Sequence, residues 1–185
     1  MKTEYKTRRL ILRILTPDYA PCVLSFYQRN KKHLEPWEPM RPHAFYTLDF
    51  QRSNLSCEYR AFLKTEYLRY WIFLADDPTE PIGTISFSNI LHGAFQSCML
   101  GYKTDASHTQ KGYMTEALLY LLPLVCREYH LHRIEAYVMP SNQPSIALLT
   151  RLSFQQEGLL HDFARIRDDW QDHLLYTYFA PTQVP

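Results

Sequence analysis

Apolar residues follow two different periods along this chain, and these predict a mixed order of strands and helices. Short apolar runs bounded by turn residues predict strands at 9–15, 70–75, 82–90, 95–102 and 133–138, and a final strand pair at 154–166 and 173–179. Apolar residues at helical spacing predict helices after Thr16 and at 47–67, 112–129 and 142–152. Turn residues separate the three strands between 70 and 102, so we expect these to form an antiparallel meander.

Composition sets the class of protein without naming a function. With 185 residues, 46% of them hydrophobic, we expect one domain over 1–185, with its core at about 7–180. The net charge of +1 gives no overall field that favours nucleic acid or membrane, and no segment is apolar for the roughly 20 residues of a membrane span. Four widely spaced cysteines indicate reduced thiols and no metal site. We therefore expect a cytoplasmic protein with no direct nucleic-acid or membrane partner. The sequence does not predict its oligomeric state.

The segment from His108 to Ala117 predicts a loop that turns directly into a helix, with a cation at the turn. A helix start presents unpaired backbone N–H groups and the positive end of the helix dipole. Lys111 and the flexible Gly112 at this position suit a phosphate ester. The alternative is an ordinary helix start whose glycine only relieves a turn, and this segment alone leaves both interpretations open.

A second helix start follows the next predicted strand. In α/β folds, ligands lie beyond the carboxyl ends of strands, often where neighbouring strands part, so strands ending at Tyr102 and near Met139 are candidate walls. Coenzyme A, a thin arm with phosphates at one end, has a matching shape. Asn142 and Ser145, three residues apart, can face one side of the first helical turn. Asn142 would then hold an amide of the arm, and Ser145 would protonate a thiolate or hold the water that does, unless both residues only cap the helix.

Several segments together resemble the GNAT acetyltransferase superfamily, and more narrowly its RimJ type, the ribosomal-protein alanine N-acetyltransferases. The matching segments are Lys-Gly-Tyr-Met-Thr-Glu-Ala at 111–117, His-Arg-Ile-Glu-Ala at 132–136, Met-Pro-Ser-Asn at 139–142, Glu-Gly at 157–158, and stretches at 33–39, 87–90, 100–102 and 170–173. The resemblance runs from about Thr7 to Phe179. It implies an α/β fold with a mixed, mostly antiparallel twisted sheet flanked by helices.

The resemblance also implies acetyl-CoA as cosubstrate, with its pyrophosphate on the backbone N–H groups of a phosphate loop. That loop consists of Gln110, Lys111, Gly112, Tyr113, Met114 and Thr115. The pantetheine arm would lie along Leu100, Gly101 and Tyr102 and bind Asn142, and Ser145 would be the general acid.

The phosphate loop departs from the family pattern. Thr109, Gln110 and Met114 replace the usual Gln or Arg, Gly, and Gly or Ala, and Ser153 replaces a further Gly. A cradle of backbone N–H groups tolerates these changes, so we expect it to be intact, although Gln110 is costly if the turn requires a positive φ.

The reaction implied is acetyl transfer to a primary amine, foremost the α-amine of an alanine or serine at a protein N-terminus, such as that of a ribosomal protein. The alternatives are a small amine (a polyamine, amino acid or drug) and a CoA-binding regulatory module without catalysis. Glu35 and Glu38 would attract the cationic amine, and Trp37 would form a flat side of the acceptor groove. The alternative is that Trp37 only packs the loop onto the core and that the two carboxylates are solvated. A water relay from Asp162, His161 or Glu38 would supply the base, or transfer would proceed without one.

Overall fold

Eight strands form one sheet that runs through the structure, a computed structural model that describes residues 1–181. The strands are β1 (Glu4–Lys6), β2 (Leu10–Arg13), β3 (Leu68–Leu74), β4 (Gly83–Leu91), β5 (Ser97–Thr104), β6 (Arg133–Val138), β7 (Gln155–Ile166) and β8 (Asp169–Phe179). The order is β1-β2-β3-β4-β5-β6-β8-β7, and only the β5–β6 pair is parallel in this described sheet. The predicted mixed, mostly antiparallel sheet and the β3–β4–β5 meander are therefore confirmed.

Five α-helices of the described residues flank the sheet. They are α1 (Ala20–Arg29), α2 (Lys31–Leu34), α3 (Leu48–Leu63), α4 (Tyr113–Tyr129) and α5 (Gln143–Arg151). Between Lys31 and His43, α2 is followed by a 3-10 turn at Glu35–Trp37, and no helix or strand covers 38–42. Within residues 1–181, no helix is both long and apolar enough to cross a bilayer.

The side chains of β3 show how the two layers of helices are attached. Tyr70 and Ile72 pack into the core cluster that contains residues of α4 and α5, whereas Trp71 and Phe73 pack into the cluster that contains residues of α1 and α3. Successive residues of a strand point to opposite faces, so a continuous apolar run serves both layers. All four side chains are buried.

The strands β5 and β6 part after a short pairing. Their register covers only Ser97 with Arg133, Cys98 with Ile134 and Met99 with Glu135. Beyond Met99, β5 stays paired with β4 as far as Thr104, and β6 stays paired with β8 as far as Val138. A wedge therefore opens between 100–104 and 136–138, and the backbone groups on its two edges are available to a ligand.

Asp105, directly after β5, ties the end of this strand to α1. Its buried carboxylate accepts hydrogen bonds from Arg29 Nε at 2.7 Å, Asn30 Nδ2 at 2.8 Å and Ser107 N at 2.9 Å. Burial alone would raise the pKa of Asp105, but the bonds from Ser107, Asn30 and Arg29 outweigh it and hold this pKa well below its usual range.

Asp105→Ala is expected to lower the free energy of unfolding by about 2–4 kcal/mol, because the buried Asn30 side chain and the Arg29 guanidinium lose their acceptor. The exposed Glu80, 2.8 Å from the same Arg29, provides a control, and Glu80→Ala should cost no more than about 1 kcal/mol. Because the pKa of Asp105 is lower in the folded than in the unfolded protein, its ionised carboxylate stabilises the fold at a pH above the unfolded-state pKa of about 3.9. This stabilisation is lost as the pH falls through the folded-state pKa. Urea unfolding should therefore show the gap between wild type and Asp105→Ala shrinking below about pH 3.9. Equal costs for the two variants would contradict this assignment.

Candidate active site

The edge of β5 that faces the wedge carries three predicted binding residues. Leu100, Gly101 and Tyr102 pair with β4 on one side, and all three lie beyond the last residue of β5 that pairs with β6. Their backbone groups toward β6 are thus placed where a polar ligand arm could pair with them. Gly101 is also confined on the other side, because a Cβ there would lie 2.9 Å from Ser86 Oγ.

The phosphate loop lies at the start of α4, as predicted. Gly112 is the N-cap of α4 with φ of 76°, and no side chain within residues 1–181 caps this helix start. The first N–H groups of a helix have no partner inside the helix, so those of Tyr113, Met114 and Thr115 are available to an anion. The side chain of Met114 is buried in the core, so only its backbone could contribute to the loop.

Arg9, which the sequence analysis did not single out, fixes the phosphate loop. Its Nη1 donates to the Lys111 carbonyl at 3.1 Å, its Nε pairs with Glu116 Oε2 at 2.6 Å, and its guanidinium lies 4.6 Å from the centre of the Tyr113 ring. Burial would raise the pKa of Glu116, but hydrogen bonds from Thr7 and Arg9 outweigh it and lower this pKa below its usual value. No sequence spacing links residue 9 to residue 111.

A cationic groove continues from the phosphate loop along α4. It has a volume of about 810 Å³ and is lined by Thr7, Arg8, Arg9, Gly112, Thr115, Glu116, Leu119, Tyr120 and Arg151. Three arginines on one groove suit a ligand with several phosphate oxygens, since guanidinium groups pair with phosphates in a fixed geometry.

Gln110 adopts φ of 59°, so the phosphate loop has the positive φ that makes a side chain costly here. Ser153, the other departure from a family glycine, has φ of 63°. Both residues therefore occupy the left-handed region that glycine adopts without strain. The loop is formed, and Gln110 imposes a local cost on it.

Gln110→Gly is expected to raise the free energy of unfolding by about 0.5–1 kcal/mol, the strain relieved less the greater chain entropy of glycine. Ser153→Gly is the matched control, since it relieves the same strain outside the phosphate loop. Calorimetric titration with CoA should give a Kd for both variants within about threefold of wild type, because the cradle consists of backbone groups. A marked loss of CoA affinity in Gln110→Gly alone would show instead that the glutamine side chain binds the ligand.

The start of α5 separates the roles of Asn142 and Ser145. Asn142 is the N-cap, and its Oδ1 accepts from the Ser145 backbone N–H at 3.2 Å. The cap uses only Oδ1, so Nδ2 is the group of this side chain that would contact a ligand. Ser145 Oγ forms a hydrogen bond with the hydroxyl of Tyr102. The serine hydroxyl therefore contacts β5, across the wedge, and does not cap α5.

Tyr102 gives Ser145 a partner that remains protonated at neutral pH. Burial raises the pKa of Tyr102 to about 12, and the bond to Ser145 opposes this shift only in part. A protonated Tyr102 can donate to Ser145 Oγ and leave the serine proton for another acceptor. Two hydroxyls in series can thus supply a proton at the mouth of the wedge.

We call residues 35–41 the acceptor loop, because they contain the three residues predicted to bind the acceptor. Glu35 is paired with Lys31 at 3.7 Å, and Trp37 is 38% exposed and therefore available as a wall. Glu38 differs from the expectation of a free carboxylate, because it is largely buried and forms ion pairs with Lys103 and, at 2.7 Å, with Arg41. Its charge is already compensated.

Glu38 is also a poor candidate for the base. Burial would raise its pKa, but the charges of Lys103 and Arg41 outweigh burial and leave the pKa below its usual value. The other two predicted candidates, His161 and Asp162, are exposed beside an irregularity of β7, where both contact Asp172. A base role for any of the three remains a prediction.

On the β6 side of the wedge, an aromatic side chain lies on the same face of the sheet as Glu38. Ile134, Ala136 and Val138 of β6 face the core cluster with α4, so by alternation Tyr137 faces the other side. Its ring stacks on Phe163 of β7, with 4.6 Å between centroids and 15° between planes.

Together these features define the class of the protein. The site suits a thin ligand with phosphates at one end, because it combines two parted strands, two helix starts at their mouth and a cationic groove. Near the other end of such a ligand, the paired hydroxyls of Ser145 and Tyr102 can protonate a leaving group. Such a site is that of an acyl-CoA-dependent transferase. Among the described residues, no three His, Cys, Asp or Glu side chains are grouped as a metal site would require.

The chain belongs to the GNAT acetyltransferase family, because residues 9–155 match its "Acetyltransferase (GNAT) domain". It is 34% identical over 184 residues to the ribosomal protein uS5-alanine N-acetyltransferase of Escherichia coli (strain K12), covering 100% of this chain and 94% of that protein. The ribosomal-protein-S5-alanine acetyltransferase of Vibrio fischeri superposes with a TM-score of 0.92 at 27% identity, with 100% of both chains covered. RimJ of Mycobacterium smegmatis, solved with CoA-disulfide, gives 0.90 at 31% identity, covering 100% of this chain and 90% of that one.

These similarities confirm the enzyme class predicted from the sequence. The protein is an acetyl-CoA-dependent N-acetyltransferase that resembles the RimJ type, with acetyl-CoA as its cosubstrate.

Proposed function

We propose that this enzyme acetylates the α-amine of a protein N-terminus that begins with alanine or serine, and that its natural acceptor is a ribosomal protein. The observation that carries the proposal is the full-length similarity to an enzyme named for uS5 alanine acetylation. We further propose that 1–185 act as one domain in the cytoplasm, where ribosomal proteins are made. The reaction requires no metal ion, nucleic acid or membrane partner.

In this proposal the wedge and the phosphate loop hold the donor. The pyrophosphate accepts hydrogen bonds from the backbone N–H groups of 110–115, near the Lys111 ammonium group. The phosphoadenosine lies in the cationic groove with Arg9 and Arg151. The pantetheine arm pairs with the open edge at 100–102 and with Asn142 Nδ2. This arrangement leads the thioester to the point where β5 and β6 part.

The acceptor amine then attacks the thioester carbon from the face that carries the acceptor loop and Tyr137. N–H groups near Leu100 and Gly101 stabilise the oxyanion as the N–C bond forms. The tetrahedral intermediate collapses with cleavage of the C–S bond, the amine proton leaves to water, and Ser145 donates its proton to the thiolate. Tyr102 passes its proton to Ser145 and takes one from water, so the proton that the amine releases balances the one that the thiolate takes up.

An α-amine suits a site without a dedicated base. Its pKa of about 7.7–8.0, against about 10.4 for a lysine side chain, makes its neutral fraction near pH 7 larger by roughly a few hundred-fold. The enzyme can therefore bind a neutral amine without a strong base, in agreement with the ion pairing of Glu38.

An acetylation assay with mass spectrometry distinguishes the possible acceptors. The panel contains peptides that begin with alanine or serine and an internal lysine, the same peptides with a blocked N-terminus, and spermidine and free alanine as small amines. We expect acetylation at the α-amine, with kcat/KM at least about 100-fold above that for the small amines, since an extended peptide contributes more binding energy to the transition state. Preference for a small amine, or acetylation of the lysine in blocked peptides, would contradict the proposal.

A further inference from the structure

Two successive residues of β5 hold the two sides of the site in place. Tyr102 contacts Ser145 on the face of α5, and Lys103 points to the opposite face, where it pairs with Glu38 of the acceptor loop. Both residues lie beyond the point where β6 leaves β5. The strand that would carry the pantetheine arm is therefore attached to the proposed acid and to the acceptor loop by adjacent side chains.

The acceptor loop is anchored at two points, through Glu38 and through Arg41. Glu38 Oε1 pairs with Lys103 and Glu38 Oε2 with Arg41, so both carboxylate oxygens have a cationic partner. Arg41 in turn lies over the ring of Phe45, 4.0 Å from its centroid, and this phenylalanine is buried in the core cluster with α1 and α3. The loop is thus held to β5 at one point and to the core at another.

We infer that the ion pair between Glu38 and Lys103 positions the acceptor loop against β5 and thereby determines affinity for the acceptor. The inference rests on the proposed function and deepens it. Glu38 acts through the placement of Trp37 and not by binding the amine, because an ammonium group would have to displace Lys103 or Arg41 from the carboxylate. Glu38 and Lys103 are positioning residues.

A second ion pair offers a matched control. Glu58 of α3 and Arg69 of β3 lie 2.9 Å apart, with side-chain exposures of 16% and 17%, against 11% and 20% for Glu38 and Lys103. Glu58 lies outside the acceptor loop, so Glu58→Gln breaks a pair of similar burial without releasing the loop from β5.

The test compares Glu38→Gln, Lys103→Met, the double variant, Lys103→Arg and Glu58→Gln in the full chain. We expect Glu38→Gln and Lys103→Met each to raise the KM for the acceptor peptide about tenfold or more, with the Kd for CoA within about twofold of wild type. The double variant should be no worse than the worse single variant, since both break one interaction. Lys103→Arg should restore the KM, and Glu58→Gln should leave the KM and Kd unchanged. An unaltered KM, an equal loss of CoA affinity, or the same KM change in Glu58→Gln would overturn the inference.

Hydrogen exchange separates this inference from the proposed function. If wild type acetylates none of the peptides, the proposed function fails, and the positioning role is judged on the unliganded enzyme. Amides of the acceptor loop should exchange faster in Glu38→Gln than in wild type and Glu58→Gln, with 113–117 unchanged. Unaltered exchange in the acceptor loop would overturn the positioning role.

Discussion

Ser145→Ala should lower kcat by about 100-fold or more, the usual contribution of a general acid, when acetyl-CoA and acceptor peptide are both saturating. The thiolate of CoA would leave without the proton that we propose Ser145 to supply. The hydroxyl is free for this role, because Asn142 provides the cap of α5 and Ser145 Oγ is bonded only to Tyr102 among the described residues. Steady-state kinetics with the purified enzyme measures the effect.

Two further variants control this prediction. Tyr102→Phe keeps the serine and removes its hydroxyl partner, so kcat should fall by a smaller factor, about tenfold. Asn142→Ala removes the cap and should cost about 1 kcal/mol of unfolding free energy. If Ser145→Ala lowers stability and leaves kcat unchanged, Ser145 is a structural residue and the proposed acid is wrong.

Gly112→Val should weaken CoA binding by about tenfold or more, because a β-branched residue at positive φ costs about 1–3 kcal/mol and the phosphate loop must move to relieve it. The φ of 76° causes this effect and crowding does not, since the nearest atom to an added Cβ is Arg9 Nη2 at an ordinary 3.5 Å. Calorimetric titration gives the Kd for CoA, and the KM for the acceptor peptide should change far less.

Gly93 provides the control for backbone strain. It has φ of 69° in the turn between β4 and β5, with no atom within 4 Å of an added Cβ. Gly93→Val should therefore destabilise the protein by a similar amount and leave the CoA affinity intact. Equal losses of CoA affinity in the two variants, or equal changes in CoA and acceptor affinity for Gly112→Val, would contradict the assignment of the phosphate loop.

Most of the fold could be predicted, because helix starts and apolar periodicity depend on residues that are neighbours in the sequence. Thr47, a predicted helix start, caps α3 by accepting from the Phe50 N–H, and β6 spans Arg133–Val138 as its apolar pattern indicated. By contrast, β1 was missed, since three residues with mixed burial carry no periodicity. The positive φ of Gln110 could not be predicted from the sequence either, because a non-glycine residue gives no sign of a left-handed turn.

The elements that form the candidate site could be predicted from the sequence, and the contacts between them could not. The phosphate loop and the start of α5 each have a local motif, and they lie where these motifs indicate. The contacts of Tyr102 with Ser145, of Glu38 with Lys103 and of Arg9 with Lys111 join residues far apart in sequence. Such contacts depend on how the sheet brings its strands together, and no single segment encodes them.

A crystal structure with bound CoA tests the central claim most directly. We predict the pyrophosphate on the N–H groups of Tyr113, Met114 and Thr115, and the sulfur at the parting of β5 and β6, in hydrogen-bonding reach of Ser145 Oγ directly or through one water. Phosphates bound away from the phosphate loop, or a sulfur turned away from Ser145, would contradict the account.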